Sequence, residues 1–218
     1  MIDRGVPCMI TKYGKADAST ILIQPVGAHE EAGIENEINA IREMAGEDFL
    51  LFAVKVDQWN DELSPWNAPA VFRNESFGSG AAATLDRIVG YCKDKSKNYY
   101  IGGYSLAGLF SLWAACQTDI FSGVAAASPS MWFPGFLDYM KEHPVHSHAV
   151  YLSLGEKEEK VSNPVLKTVG ECIREGHELL VAQGVDCTLE WNEGNHFREP
   201  DRKTAKAFAW LMNTQRGK

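Results

Sequence analysis

The chain has 218 residues, 45% of them hydrophobic and 23% charged, with a formal net charge of −8 at pH 7. That is enough chain to bury a full core, and the composition is that of a soluble globular protein, read as one domain over residues 1–218. The negative balance argues against nucleic acid or an anionic membrane as partner, since both are held mainly through clustered Lys and Arg.

Short β-rich runs alternate with longer helical patterns along the chain, the signature of a mostly parallel sheet with helices on both faces. The predicted strands are Cys8–Tyr13, Thr20–Val26, Phe49–Val56, Tyr99–Tyr104, Gly123–Ala127, Ala149–Leu154 and Cys187–Trp191. The predicted helices lie near Ile34–Ala45, Gly80–Lys93, Ala107–Thr118, Pro134–Lys141, Asn163–Gln183 and Arg202–Asn213. Asp57 to Gly78 reads as a long irregular stretch, and its Trp59, Trp66 and Phe77 argue that it is ordered and functional. No apolar run of about 18 residues is present, and the amino terminus lacks the basic-plus-apolar pattern of a secretory leader, so the expected location is the cytoplasm. The five cysteines are scattered without C-x-x-C spacing, which speaks against a disulfide framework or a zinc site. His146 and His148 could ligate a metal but have no carboxylate partner nearby in the sequence.

The strand at Tyr99–Tyr104 runs into Ser105 and then directly into a helix, with Gly103 and Ala107 two places to either side. A serine in so sharp a turn stands above the sheet, and small neighbours at those places keep the turn from clashing. Such a nucleophile needs a base within hydrogen-bond reach and an acid to fix the base's tautomer. Both follow in the expected order, each after a later strand: an acidic run Glu156–Lys160, then Glu193-Gly194-Asn195-His196 just before the last helix. His196 is taken as the base. Within the acidic run Glu158 is preferred over Glu156 and Glu159, because three residues past Gly155 the chain has room to turn its carboxylate back across the sheet. His29, after the strand Thr20–Val26, lies in the loop that supplies an oxyanion-hole amide and is a candidate substrate contact.

The elbow Gly103-Tyr104-Ser105-Leu106-Ala107-Gly108, the segment Ser128-Pro129-Ser130-Met131-Trp132-Phe133 and Gly194-Asn195-His196 together resemble the esterase family of α/β-hydrolases that includes the esterase D, enterochelin esterase and feruloyl esterase groups. Val56–Trp66 also looks like a feature of small bacterial members whose substrates are not defined. The resemblance spans the chain from Thr20 onward. It implies a single-domain α/β-hydrolase fold without a large lid, with Ser105 as nucleophile, His196 as general base, Glu158 as acid, the Leu106 amide as one oxyanion donor, and Trp132 near the pocket mouth. The chain departs from the family in having Ala107 where a second glycine is common, no tryptophan shortly after the histidine, and no His-Gly pair before Val26. The last departure leaves the second oxyanion donor open between Val26 and Gly27.

The expected activity is hydrolysis of a small-molecule carboxylic ester through an acyl-enzyme, with no metal or organic cofactor. Trp59, Trp66 and Trp132 are expected to line an open cleft. An acyltransferase would use the same triad with an alcohol in place of water, and a non-catalytic binding descendant of the fold is the remaining alternative. The acyl group, the alcohol and the existence of a homodimer are open at this stage.

Overall fold

The computed structural model describes residues 10–71 and 75–216, and of residues 215 and 216 the backbone only. A seven-stranded sheet runs through the molecule in the order β1-β3-β2-β4-β5-β6-β7. The strands are β1 (Ile10–Gly14), β2 (Thr20–Gly27), β3 (Leu50–Val56), β4 (Asn98–Tyr104), β5 (Phe121–Ala127), β6 (Ala149–Gly155) and β7 (Asp186–Asn192). All neighbours are parallel except β1, which runs antiparallel to β3 at one edge. Central strands β4 and β6 are buried almost from end to end, as expected where helices cover both faces.

One face carries α1 (Ile34–Ala45) and α7 (Pro200–Arg216), whose Ile38, Ile41, Phe208 and Leu211 pack on Leu22, Leu51, Tyr100 and Tyr151. The other face carries α3 (Ala81–Val89), α4 (Leu106–Gln117), α5 (Phe136–Glu142) and α6 (Val169–Ala182), over Ile23, Val54, Ile101, Val124 and Leu152. This is the architecture expected of an α/β-hydrolase. Among the described residues no helix is long and apolar enough to cross a membrane.

The elements differ from the sequence reading mainly at their ends. The first predicted strand includes Cys8 and Met9, which lie outside the described residues. The helix expected over Gly80–Lys93 stops at Val89, where Gly90 begins a turn whose Tyr91 and Cys92 amides bond back to Ile88 and Val89. The helix expected from Asn163 starts instead at Val169. The Asn163 carboxamide accepts from the Val165 and Leu166 amides and diverts the chain into a turn first, a local bond that competes with helix for this residue type. The long segment after β3 is ordered where described. It contains a short helix, α2 (Trp59–Glu62), whose Glu62 carboxylate accepts from the Asp57 and Gln58 amides, and an isolated bridge pairs Ala68 with Phe77.

The connection leaving β2 turns to β3 on one side while that leaving β4 turns to β5 on the other, and a crevice opens at the carboxyl ends of β2 and β4. The loops after β4, β2, β6 and β7 therefore converge on one edge of the sheet.

Candidate active site

Ser105 sits between β4 and α4 with φ 55° and ψ −115°, a conformation that costs an L-residue about 1–3 kcal/mol. The surroundings hold it there. Its amide donates to Ala127 O (3.0 Å), and its carbonyl accepts from the Leu109 and Ser130 amides (3.1 Å each). A β-carbon at position 103 would come within 2.6 Å of Ala107 Cβ, so the strand end and the first turn of α4 meet only because Gly103 has no side chain. Ala in place of the second family glycine is accommodated by that contact. Gly108 lies against Pro129 and Gly103 O, with space too tight for a larger residue unless the neighbours shift.

The structure brings three of the sequence-selected residues together. Ser105 Oγ lies 3.1 Å from His196 Nε2, and His196 Nδ1 lies 2.7 Å from Glu158 Oε2. The loops that carry the last two are stapled to each other, with the Glu156 amide donating to Asn192 O (2.9 Å) and the Lys157 amide to Gly194 O (3.0 Å). Glu158 reaches the histidine through the turn anticipated from its spacing: its amide donates to Gly155 O, and its Oε1 accepts from the Gly155 amide at 2.7 Å. The other oxygen is left for His196. Of the competing acids, Glu156 is exposed and Glu159 is engaged with Arg174 at 3.3 Å.

Only 3% of the Glu158 side chain is exposed, against 33% for His196. Burial alone would raise the Glu158 carboxyl. The hydrogen bond and charge of His196, with donors from Ser128 Oγ (2.7 Å) and the Gly155 amide, outweigh that and hold it below the usual carboxylate range. A buried, ionised acid of this kind fixes the imidazole with Nδ1 protonated and Nε2 free to take the serine proton.

Three further residues support the arrangement and were not selected from the sequence. Ser128, itself at φ 42°, donates to Glu158; the Tyr104 hydroxyl donates to His196 O at 2.6 Å; and Ser130 Oγ lies 3.3 Å from Ser105 Oγ. A fourth, Lys203 on α7, is buried behind the same loop. In the sequence, Ser128-Pro129-Ser130 and Tyr104 lie within the segments that carry the resemblance, and nothing there assigns them a role.

On the oxyanion side, Leu106 is the first residue of α4, where a helix leaves its amides without an internal partner. Val26 is near the end of β2, in register with Lys55. The next amide, Gly27, is held by Glu30 Oε2 at 3.2 Å, and Glu30 N returns a bond to Gly27 O. Burial pushes the Glu30 carboxyl up to about 7, with the Gly27 amide working in the opposite direction.

His29 projects from this loop, exposed, with its ring edge-on to Trp59 at 4.7 Å; burial of part of the ring lowers its pKa. Gly27 lies under both rings. Trp132 is half-buried, two residues past Ser130, and packs its ring against Phe77. Trp66 is placed differently. Its indole N–H donates to Pro134 O (2.9 Å) and its ring packs on Phe133 and Tyr139, so its bonds tie the long loop to the start of α5 and none of them reaches the Ser105 group. Phe197, next to the base, stands edge-on to the His196 ring at 5.5 Å and is 86% exposed.

The fold is that of the α/β-hydrolases. The chain is similar in structure to the siderophore hydrolase EstA of Aspergillus nidulans, with a TM-score of 0.62 at 16% identity, over 98% of this chain and 97% of that one. It is similar also to an IroE-like serine hydrolase of Shewanella oneidensis, with a TM-score of 0.69 at 12% identity over 90% of this chain and 71% of that one. A third is FphF, a fluorophosphonate-binding serine hydrolase of Staphylococcus aureus, at 0.62 and 13% identity over 94% and 92%. No protein-family model and no curated protein sequence matches the chain.

Proposed function

We propose that the protein is a serine hydrolase that cleaves a carboxylic ester, with Ser105 as nucleophile, His196 as general base and Glu158 as the acid that orients it. The observation that carries the reading is the continuous chain of contacts from Ser105 Oγ to His196 Nε2 and from His196 Nδ1 to the buried Glu158, built on a serine in a strained elbow. The structural neighbours named as a siderophore hydrolase and as serine hydrolases support the same class.

In this mechanism Ser105 Oγ attacks the ester carbonyl carbon while His196 Nε2 takes its proton. The carbonyl π pair moves onto oxygen, and the Leu106 amide stabilises that oxyanion with a second amide from the loop that begins at Val26. The tetrahedral adduct collapses, the alkoxide leaves with the proton from His196, and an acyl-Ser105 ester remains. Water, deprotonated by the same imidazole, then repeats the cycle and frees the carboxylic acid. Glu158 stays ionised throughout and stabilises the imidazolium at each stage. Trp132 and His29, with Phe197 beside the base, are assigned to the substrate side of the site.

A fluorophosphonate probe and Ser105→Ala test the reading together. The wild-type chain is expected to be labelled at Ser105, and the alanine variant to fold, escape labelling and lose on the order of 10⁴-fold or more in turnover of a short-chain aryl ester. Labelling at Ser128 or Ser130 instead, or an active Ser105→Ala, overturns it.

A further inference from the structure

Lys203 is a lysine inside the protein. It closes the first turn of α7, 5% exposed, on the stripe that continues through Ala207 and Leu211 into the core. Lysine is rarely buried so completely without partners that repay its lost hydration. Here its ammonium faces three acceptors: Asn195 O at 2.9 Å, the Tyr104 hydroxyl at 3.3 Å, and Glu158 Oε1 at 3.7 Å. An ammonium has three protons, and all three directions lead into the machinery around His196. Asn195 immediately precedes the base; Tyr104 precedes the nucleophile and donates to the base's own carbonyl; Glu158 is the acid.

We propose that Lys203 is a positioning residue for catalysis: through Asn195 O and Tyr104 it fixes the loop that presents His196, and through Glu158 it balances the charge of the acid when the imidazole is neutral. The inference rests on the hydrolase reading above. Glu158 is a buried carboxylate that accepts from Ser128 and the Gly155 amide, and Lys203 is a full positive charge beside it. When His196 takes the serine proton, the cation at 3.7 Å from Glu158 opposes the new imidazolium. Lys203 also favours the charged form of Glu158, the carboxylate that stabilises that imidazolium. Of the other groups that act on Lys203, Glu199 raises its pKa and Arg198 lowers it, while burial gives the largest effect, a lowering that Glu158 opposes. A lysine used only to fill space would not need two hydrogen bonds to this loop and strand end and an ion pair to the acid.

The test compares K203M, K203Q and K203R with wild type, on protein first shown to label at Ser105 with a fluorophosphonate. In K203M, which keeps the volume and removes the cation, kcat is expected to fall tenfold or more with KM within about twofold. The acid limb of its kcat/KM profile is expected to move to higher pH by roughly half a unit to one unit, because the imidazolium has lost a neighbouring positive charge. The His196 ring signal followed by NMR is expected to titrate at correspondingly higher pH, a readout that needs no substrate. K203R is expected to return the limb toward the wild-type position. If K203M does not fold, K203Q carries the same comparison, since it keeps a donor and loses only the charge. A folded K203M or K203Q with wild-type kcat and an unmoved limb overturns the proposal, as does an equal loss of kcat in all three variants with no change in either titration. A wild-type protein that takes no label at Ser105 refutes the hydrolase reading itself and removes the basis of the proposal.

Discussion

Replacing Glu158 by glutamine probes the acid with almost no change of shape, and the surroundings dictate how the amide must sit. Glu158 Oε1 accepts from the Gly155 amide and from Ser128 Oγ, while Oε2 faces His196 Nδ1. If the glutamine oxygen keeps the first two donors, its NH₂ points at His196. Nδ1 must then accept, and the ring proton moves to Nε2, where it faces Ser105 and cannot serve as a base. If the amide flips, the ring recovers its working tautomer but NH₂ confronts the Gly155 N–H. Ser128 can rotate its hydroxyl to accept; a backbone N–H cannot. Leaving that donor unsatisfied costs about 1–3 kcal/mol, and the working tautomer also loses a hydrogen bond to a charged acceptor, worth about 1.5–3 kcal/mol. The two sum to about 2.5–6 kcal/mol, a loss in kcat of roughly 10²- to 10⁴-fold at 1.4 kcal/mol per tenfold. The assay is turnover of a short-chain aryl ester together with the rate of fluorophosphonate labelling, both of which need the serine activated. Glu156→Gln and Glu159→Gln serve as controls and are expected to stay within about twofold of wild type, since one is solvated and the other faces Arg174. Activity of Glu158→Gln within tenfold of wild type, or an equal loss in either control, would show that the carboxylate at 2.7 Å from His196 does not perform this task.

Truncation of the tryptophans is expected to separate a packing role from a pocket role. Trp66→Ala should lower the melting temperature, at the smaller end of the roughly 3–5 kcal/mol seen for large aromatic truncations, and leave the ranking of aryl and aliphatic esters unchanged; Trp132→Ala should alter that ranking by about 1–3 kcal/mol for groups that touch it. Glu30→Gln tests the buried turn beside Gly27. A carboxyl with its folded pKa raised from 4.5 to about 7 contributes stability below pH 4.5 that is lost as pH rises through 7, a difference of 2.5 units or on the order of 3 kcal/mol. Denaturation should therefore find Glu30→Gln equal to wild type near pH 4 and more stable above pH 7, and the reverse order would refute the assignment. Gly102→Ala places a β-carbon 2.6 Å from both Ala125 Cβ and Ala125 O. On a central strand that crowding should cost about 2–3 kcal/mol, read as a fall of roughly 4–12 °C in Tm.

The strands are legible because most of them are buried on both faces and read as mainly apolar runs bounded by turn residues, as Leu50–Val56 and Ala149–Gly155 illustrate with one polar residue each. Their order is not. Whether β2 sits between β3 and β4 depends on which crossovers the helices make, and local pattern carries no record of that. Helix ends went wrong where a side chain competes with the helix for a backbone amide, as Asn163 does, or where a glycine such as Gly90 ends a segment whose residues would otherwise continue it. The Ser105 turn was legible for a steric reason: few sequences other than small-x-Ser-x-small satisfy φ 55° at the end of a strand packed this tightly against the next helix.

The residues that surround the three catalytic candidates escaped the sequence because each obeys a local pattern that has nothing to do with the site. Tyr104 is a strand aromatic, Ser128 a loop serine before proline, and Lys203 a charged residue on a helix, the commonest surface arrangement there is. Tyr104 and Ser128 fall inside the segments that carry the resemblance, without a role, and Lys203 leaves a trace of another kind. The apolar positions of α7 recur as Ala207 and Leu211 and as Thr204, Phe208 and Met212, and extending the first row back by four residues lands on the lysine. A cation at a core position of an amphipathic helix demands an anion opposite, and the acid loop after β6 was where the sequence offered one. The helix register, the buried charge and the acid thus point to one another: Lys203 stands 3.7 Å from Glu158 Oε1, on the side of the carboxylate away from His196.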